Sequence, residues 1–182
     1  MYKFIIFIFS LVINLNAYEI RHFLMPQDGK YAENSIINDI YNAKKNIKIA
    51  MFMVTNKRLV KSLIDKYNKS KIDITLIADK SYNKNNLKKS KLNMLSSKNA
   101  IKVYITQGLK KKKNKYGILH AKLVIIDDNI VYLGSTNWTK SAYKYNYEIM
   151  IRIDDYTTAK LYTLYFNDIL KSAKRLFGDQ NE

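Results

Sequence analysis

Short apolar runs alternate with amphipathic segments along most of this chain, and this alternation limits the folds open to it. Apolar runs of four to eight residues predict strands, and apolar residues at helical spacing predict helices. The predicted strands are Tyr18–Met25, Ile47–Val54, Ile72–Ala78, Ile101–Ile105, Leu119–Ile126, Ile130–Leu133 and Tyr147–Ile153, and the predicted helices are Tyr31–Lys45, Lys57–Lys69, Leu87–Leu95 and Tyr156–Phe177. Strands interleaved with helices favour an α/β/α sandwich built on one mixed sheet.

Two features complete this outline of the fold. In the last helix, we expect an apolar face formed by Leu161, Leu164, Tyr165, Ile169 and Leu176. No linker, internal repeat or change of composition divides the chain after residue 17. Residues 18–182 are therefore predicted to form a single domain.

Residues 1–17 have the layout of a secretory signal peptide. A short start containing Lys3 precedes an apolar run from Phe4 to Ile13, and small or polar residues follow as far as Ala17. The run is short for a bilayer span, so we expect export to the periplasm or the medium. A buried first element of the fold, and an uncleaved anchor that keeps the protein at the membrane, are the alternatives.

The charge of the chain predicts a polyanionic partner. Its 32 lysines and arginines outnumber 15 acidic residues, which gives a net charge of +17. Such a field attracts nucleic acid or anionic membranes, and we favour nucleic acid. A run of lysines is expected to guide phosphate groups, with a solvated loop as the alternative. The run comprises Lys110, Lys111, Lys112, Lys113 and Lys115.

The rarity of metal-binding side chains excludes several kinds of site. The chain has no cysteine, which rules out disulfides, thiol catalysis and cysteine-based zinc sites. Its two histidines, His22 and His120, lie far apart in the sequence. We therefore expect no metal and no cofactor.

A cluster of polar residues is predicted around the start of the fifth strand. Period-two geometry puts His120 and Lys122 on one face of that strand. A tight turn at residues 127–129 returns the chain, so that the segment Gly134–Asn137 emerges close to His120. Lysine, serine and asparagine side chains can hold phosphate oxygens, and a neutral imidazole can act as a nucleophile. The grouping suits cleavage of a phosphodiester.

These residues carry a resemblance to a known family. The pattern H-x-K-x4-D-x6-G-S-x-N is typical of the phospholipase D superfamily, and the chain resembles the small bacterial endonucleases that have one copy of it. All six specified residues are present: His120, Lys122, Asp127, Gly134, Ser135 and Asn137. The resemblance implies a phospholipase D-like fold and no metal cofactor.

The resemblance also implies roles for individual residues. His120 would form a covalent phosphohistidine, while Lys122, Ser135 and Asn137 would hold the phosphate. Glu148 matches an acidic position that orients a catalytic histidine in the family. Asp127 belongs to the motif's site residues, but it falls in the turn with parity opposite to His120. We therefore expect Asp127 to support local structure.

This chemistry predicts a homodimer. The reaction needs a nucleophile and a separate acid, and His22 lacks lysine and asparagine neighbours at the spacing of the motif. A twofold dimer would bring together His120 from both chains, which matches the single-motif relatives. We thus expect a metal-independent endonuclease acting on DNA, with RNA as a second substrate. The alternatives are hydrolysis of phospholipid head groups and a non-catalytic, basic nucleic-acid-binding module.

Overall fold

A computed structural model describes residues 19–86, 88–96, 101–113 and 115–176. The predicted signal peptide, residues 1–17, lies outside this part of the chain. None of the described helices is long and apolar enough to cross a bilayer.

The described residues form one mixed sheet of eight strands with helices between them. The strands are β1 (Glu19–Met25), β2 (Asn46–Met51), β3 (Asp73–Asp79), β4 (Lys102–Thr106), β5 (Lys122–Ile126), β6 (Ile130–Gly134), β7 (Glu148–Asp154) and β8 (Lys174–Arg175). Their order across the sheet is β1-β7-β6-β5-β2-β3-β4-β8. Strands β2, β3 and β4 run parallel, and the remaining pairings are antiparallel. The mixed α/β fold predicted from the sequence is confirmed.

Helices pack on both faces of the sheet. They are α1 (Gly29–Asn42), α2 (Lys57–Ser70), α3 (Lys80–Asn85), α4 (Leu92–Ser96), α5 (Lys140–Lys144) and α6 (Tyr156–Lys171). Side chains of one strand parity, such as Ile49 and Val124, share a core with α1 and α2. Their neighbours of opposite parity, such as Ala50 and Ile125, pack with α6. Period-two alternation therefore gives each face its own apolar layer.

The last helix differs from its prediction. It ends at Lys171, and the chain then adds β8, which pairs with β4. Ala159 and Phe166 face the sheet, whereas Leu161, Leu164 and Tyr165 are more than half exposed. Ile169 and Leu176 are partly buried. The helix has two apolar stripes at helical spacing, and periodicity alone does not choose between them.

The region predicted as one helix, Leu87–Leu95, also differs. Only its last part is helical, as α4 begins at Leu92, and a turn separates α4 from α3, which ends at Asn85; residue 87 lies outside the described residues. Asp79 caps α3 by accepting a hydrogen bond from Tyr82 N at 2.9 Å. This capping carboxylate lies in the part of the sheet that carries the site.

One edge of the sheet, which we call the upper edge, collects several strand ends. Register pairs Met51 at the end of β2 with Lys122 at the start of β5. Gly134 ends β6 opposite Met150, and Met25 ends β1 opposite Glu148. Met25 and Glu148, which are 123 positions apart in the sequence, thus come to the same edge.

Candidate active site

His120 lies at the upper edge, two residues before β5, with its side chain exposed. Two hydrogen bonds hold the backbone around it. Leu119 N donates to Asp79 Oδ2 at 2.9 Å, and Phe52 N donates to the Ala121 carbonyl at 3.1 Å. The Phe52 ring lies 5.1 Å from the imidazole, centroid to centroid, in a tilted arrangement. The histidine is therefore accessible while its backbone is fixed.

Lys122 is buried beside the histidine. Its Nζ donates to the His120 carbonyl at 2.7 Å and lies 5.4 Å from the centroid of the Phe52 ring. Both side chains approach the same Phe52 ring, which agrees with the prediction that His120 and Lys122 lie on one face of the strand. Burial lowers the pKa of Lys122, and the negative charge of Glu148 opposes that shift. An ammonium group has three donors, so two are left for phosphate oxygens.

Gly134 gives the chain its exit from β6. Its φ is +149°, and a Cβ at this position would lie 2.0 Å from the Ile149 carbonyl oxygen. Only glycine tolerates both conditions, because it lacks the Cβ. The sharp exit lets residues 135–138 run beside the end of β2, where Trp138 N donates to the Met53 carbonyl at 3.1 Å.

Asn137 is oriented by this same contact between segments. Its Oδ1 accepts a hydrogen bond from Met53 N at 3.2 Å. Because the oxygen faces the backbone, the amide NH2 group remains as a pair of donors. The predicted proximity of the segment Gly134–Asn137 to the start of β5 is confirmed by the register and by this bond.

Ser135 and Glu148 form a pair next to the cluster. The Ser135 hydroxyl donates to Glu148 Oε2 and accepts from Ile149 N, the latter at 3.1 Å. Asn146 Nδ2 donates to the other carboxylate oxygen at 3.1 Å. The hydroxyl proton is thus committed to Glu148, and Ser135 must exchange that bond before it can donate to a phosphate. Among the described residues, no hydrogen bond links Glu148 to the imidazole of His120.

Asp127 follows β5 at the end opposite to His120, and at the usual rise per strand residue it lies about 16 Å from Lys122. It adopts a left-handed conformation, with φ of 56°. Its carboxylate accepts from the backbone N–H groups of Lys44 and Lys45, both at 2.7 Å, and of Asn46 at 3.2 Å. This geometry fits a structural role in joining two loops.

The predicted lysine run forms a separate feature, which we call the lysine hairpin (residues 109–117). Gly117 N donates to the Leu109 carbonyl at 3.0 Å, and Lys111 N donates to the Lys115 carbonyl at 2.7 Å. Its described lysines are exposed, while Asn114 lies outside the described residues. The hairpin lines a cavity with Lys80 and Lys174 beside the end of β4. Among the described residues, no hydrogen bond joins the lysine hairpin to the side chain of His120, Lys122 or Asn137.

His22 is also distant from His120. It lies on β1, exposed, opposite Ile151. Strands β7 and β6 separate β1 from β5, which is three strand spacings or about 14 Å. His22 is also three residues away from the end of β1 at the upper edge. One chain therefore brings a single imidazole to the site.

Sequence reasoning missed three residues that support the cluster: Phe52, Asp79 and Asn83. Asp79 and Asn83 are fully buried, and Asn83 Nδ2 donates to the Phe52 carbonyl at 2.8 Å. Asp79 directly follows an apolar run, at the carboxyl end of a strand parallel to β2. Polar residues at such ends commonly belong to sites in α/β proteins, and this signal could have identified it.

An apolar hollow borders the site on the β7 side. It has a volume of about 530 Å³ and is lined by Leu24, Met25, Gln27, Asp28, Ser135, Tyr147, Glu148 and Ile149. Leu24, Tyr147 and Ile149 are each more than half exposed. Exposed apolar side chains concentrated in one place indicate a contact surface.

Comparisons with known proteins bear on the family and the fold of this chain. The family model described as cardiolipin synthase, PLD-like domain, matches residues 36–170. No curated protein matches the chain. Among solved structures, NucT from Helicobacter pylori is 34% identical to the chain, with a TM-score of 0.83. The alignment covers 88% of this chain and 100% of NucT.

Two further structures share the fold at lower identity. Nuc from Salmonella typhimurium, described as a phospholipase D family member, is 19% identical with a TM-score of 0.70, over 89% of this chain and all of Nuc. TrmBL2, described as an archaeal chromatin protein with a novel mode of DNA binding, is 16% identical with a TM-score of 0.60. That alignment covers 87% of this chain and 55% of TrmBL2. At these identities the likeness concerns the fold alone.

Proposed function

The chain belongs to the phospholipase D superfamily, and from this premise we propose that it is an exported, homodimeric nuclease. It is an enzyme that hydrolyses phosphodiester bonds, as its family and its likeness to the Nuc-type proteins support. DNA is the proposed substrate, with RNA as the second. The net charge of +17 supports a polyanionic substrate of this kind.

The proposed reaction has two steps at one phosphorus atom. A ring nitrogen of His120 attacks the phosphorus, and the bond to the leaving nucleoside oxygen breaks as that oxygen takes a proton from a second imidazole. The second imidazole then removes a proton from water, which attacks the phosphohistidine and breaks the P–N bond. Lys122 and Asn137 supply donors to the non-bridging oxygens throughout.

A single observation carries the proposal of a shared site. The cluster contains a nucleophile and phosphate-binding groups but one imidazole, and His22 is separated from it by three strand spacings. We propose that His120 of the partner subunit supplies the acid. A twofold axis beside the upper edge would meet this need from one gene product.

The apolar hollow supports the same arrangement. Leu24, Tyr147 and Ile149 expose apolar surface right next to Ser135 and Glu148, where a second copy must approach for two sites to merge. Covering this surface would gain roughly 25 cal/mol for each Å² of apolar area removed from water. We propose that the hollow is part of the dimer contact, and that Glu148 orients a catalytic histidine there.

The defining experiment uses the purified chain and a defined oligonucleotide. We expect cleavage to persist in EDTA, and quenching without acid to trap one oligonucleotide fragment, joined through its phosphorus, on the peptide that contains His120. His120→Asn should lose activity by about 10³-fold or more, since it removes the nucleophile. His22→Asn is the matched control and should retain full activity. Loss of turnover on chelation, with recovery on adding a metal, would refute the histidine mechanism.

A phospholipid is the second candidate substrate, and one observation favours it. A lipid-cleaving enzyme needs apolar surface beside its catalytic group, which the apolar hollow offers. The two substrates are separated by assaying anionic phospholipid vesicles and oligonucleotides side by side. Turnover of vesicles alone would replace the nuclease proposal while leaving the chemistry of His120 intact.

A further inference from the structure

A second depression, which we call the lysine groove, lies at the upper edge of the sheet. It has a volume of about 610 Å³. It is lined by four lysines, Lys88, Lys89, Lys91 and Lys140, and by polar residues that include Asn137 and Thr139. One wall comes from the turn between α3 and α4, and the other from the start of α5.

Both walls are fixed to the fold by hydrogen bonds. On the first wall, the buried Ser90 hydroxyl donates to Asn83 Oδ1 at 3.0 Å, and Lys91 N donates to the Val54 carbonyl at 2.8 Å. On the second, the Trp138 carbonyl, one residue before Thr139, accepts from Thr55 N and Asn56 N, both at 2.8 Å. The lysines therefore project from a backbone whose position is set relative to the catalytic cluster.

The charge of the groove is unbalanced. Four of its lining residues are lysines, and none of those described is acidic. Over the described residues, no ion pair engages Lys88, Lys89, Lys91 or Lys140, although other lysines such as Lys48 and Lys102 do pair with carboxylates. Four unpaired ammonium groups around one groove create a local field that favours a polyanion.

The groove is continuous with the catalytic cluster through Asn137. This residue lines the groove, and its amide faces away from the Met53 N–H group that fixes its oxygen. If Asn137 held the scissile phosphate of a polynucleotide, the adjacent phosphates on one side of it would lie along the lysines of the groove. The cavity beside the lysine hairpin does not share this continuity, because neither Asn137 nor His120 lines it.

We propose that the lysine groove binds the phosphates that flank the scissile bond on a polynucleotide substrate, an inference that rests on the proposed nuclease function. In a twofold dimer, one groove from each subunit leads away from the shared phosphate. The substrate is thereby held on both sides of the cleaved bond. The groove confers a preference for a polynucleotide over a small phosphodiester that has no neighbouring phosphates.

The test measures binding of a fluorescein-labelled twelve-residue oligothymidylate to full chains that carry His120→Asn, so that the probe stays intact. The groove variant adds Lys88→Ala, Lys89→Ala, Lys91→Ala and Lys140→Ala. The matched control adds Lys44→Ala, Lys61→Ala, Lys69→Ala and Lys160→Ala, which removes the same charge from exposed positions elsewhere. Circular dichroism and thermal melting establish that both variants are folded.

We expect the groove variant to bind the probe at least tenfold more weakly than the control. The slope of log K against log salt should fall by up to about 3, since each lost phosphate contact on a single strand removes about 0.7. A double variant, Lys88→Glu with Lys89→Glu, should weaken binding further than a double variant with Lys88→Ala and Lys89→Ala. It also serves if the fourfold variant is unstable.

Cleavage assays on chains that retain His120 complete the test. The loss of kcat/KM caused by the groove changes should be at least tenfold larger for the oligonucleotide than for bis(4-nitrophenyl) phosphate. Equal binding by the groove variant and the charge-matched control would overturn the inference. A parent chain that cleaves neither compound would instead refute the proposed function, so the two failures are distinguishable.

Discussion

Lys122 combines two properties that oppose one another at the scale of a single residue. It is 8% exposed, yet its proposed task requires the charged form. Burial lowers its pKa because a low-dielectric environment disfavours the ammonium group. The nearby Glu148 carboxylate opposes this shift, and so helps to keep the lysine protonated at neutral pH.

This conflict predicts the alkaline side of the pH profile. Since the pKa of Lys122 is lowered, its proton is lost below the value of about 10.4 that is usual for lysine. We expect kcat/KM for bis(4-nitrophenyl) phosphate to fall as pH rises through that lowered value. In Lys122→Arg the fall should move to higher pH at a reduced overall rate, because arginine stays charged. If the fall of kcat/KM at high pH occurs at the same pH in Lys122→Arg, another group must cause it.

Gly134 is a second residue whose requirement can be tested alone. In Gly134→Ala the added Cβ meets the Ile149 carbonyl oxygen at a φ that side chains rarely adopt. The backbone conformation by itself costs about 1–3 kcal/mol, so we expect at least that loss of unfolding free energy in urea. Gly117→Ala is the control, because its Cβ would meet neighbours at ordinary distances of 3.4 Å or more. Equal stability of the two variants would contradict the strained exit from β6.

At the scale of elements, the start of α3 connects the sheet to the segment that carries His120. Asp79 accepts from Leu119 N with one oxygen and from Tyr82 N with the other, so one carboxylate fixes both the helix and the segment before His120. Asn83 adds a bond to the Phe52 carbonyl, and the Phe52 ring contacts the imidazole. Asp79 is a positioning residue, because it acts through the backbone.

Asp79→Asn tests this positioning role. The NH2 group of the new asparagine would face the N–H group of either Leu119 or Tyr82. One buried hydrogen bond is then lost, at a cost of roughly 1–3 kcal/mol. We expect kcat on bis(4-nitrophenyl) phosphate to fall about tenfold or more with KM within twofold. Asp73→Asn, at the exposed opposite end of β3, should leave both constants unchanged. An equal fall in kcat and rise in KM would indicate general disruption of the site.

The elements also show where sequence patterns suffice. Strands such as β3 and β5, buried on both faces, were predicted to within about three residues at either end because a continuous apolar run is unambiguous. The exposure of one apolar stripe of α6 was not predicted, because tertiary packing decides which of two stripes is covered. The short strand β8 was not predicted either. The α3–α4 turn depends on buried bonds to Asn83 and Ser90, which local propensity does not encode.

At the scale of the whole molecule, the grouping of polar residues around His120 was predictable from motif spacing and strand parity. Those rules bring together His120, Lys122 and Asn137, and they separate Asp127. The lysine groove was not predicted, because Lys88 and Lys140 are 52 positions apart and meet only through the folded edge. The proposed arrangement of two chains follows from chemistry, because one fold supplies one imidazole where the proposed reaction needs two.

The central claim is therefore that neither subunit is active alone, and a mixed dimer tests it most directly. A dimer containing one unaltered chain and one His120→Asn chain can be isolated with two different affinity tags. Because both imidazoles would act at a single phosphate, we predict that its activity on bis(4-nitrophenyl) phosphate is at most a few per cent of that of the unaltered dimer. Half of the unaltered activity would contradict the account, since it would mean that each chain carries a complete site.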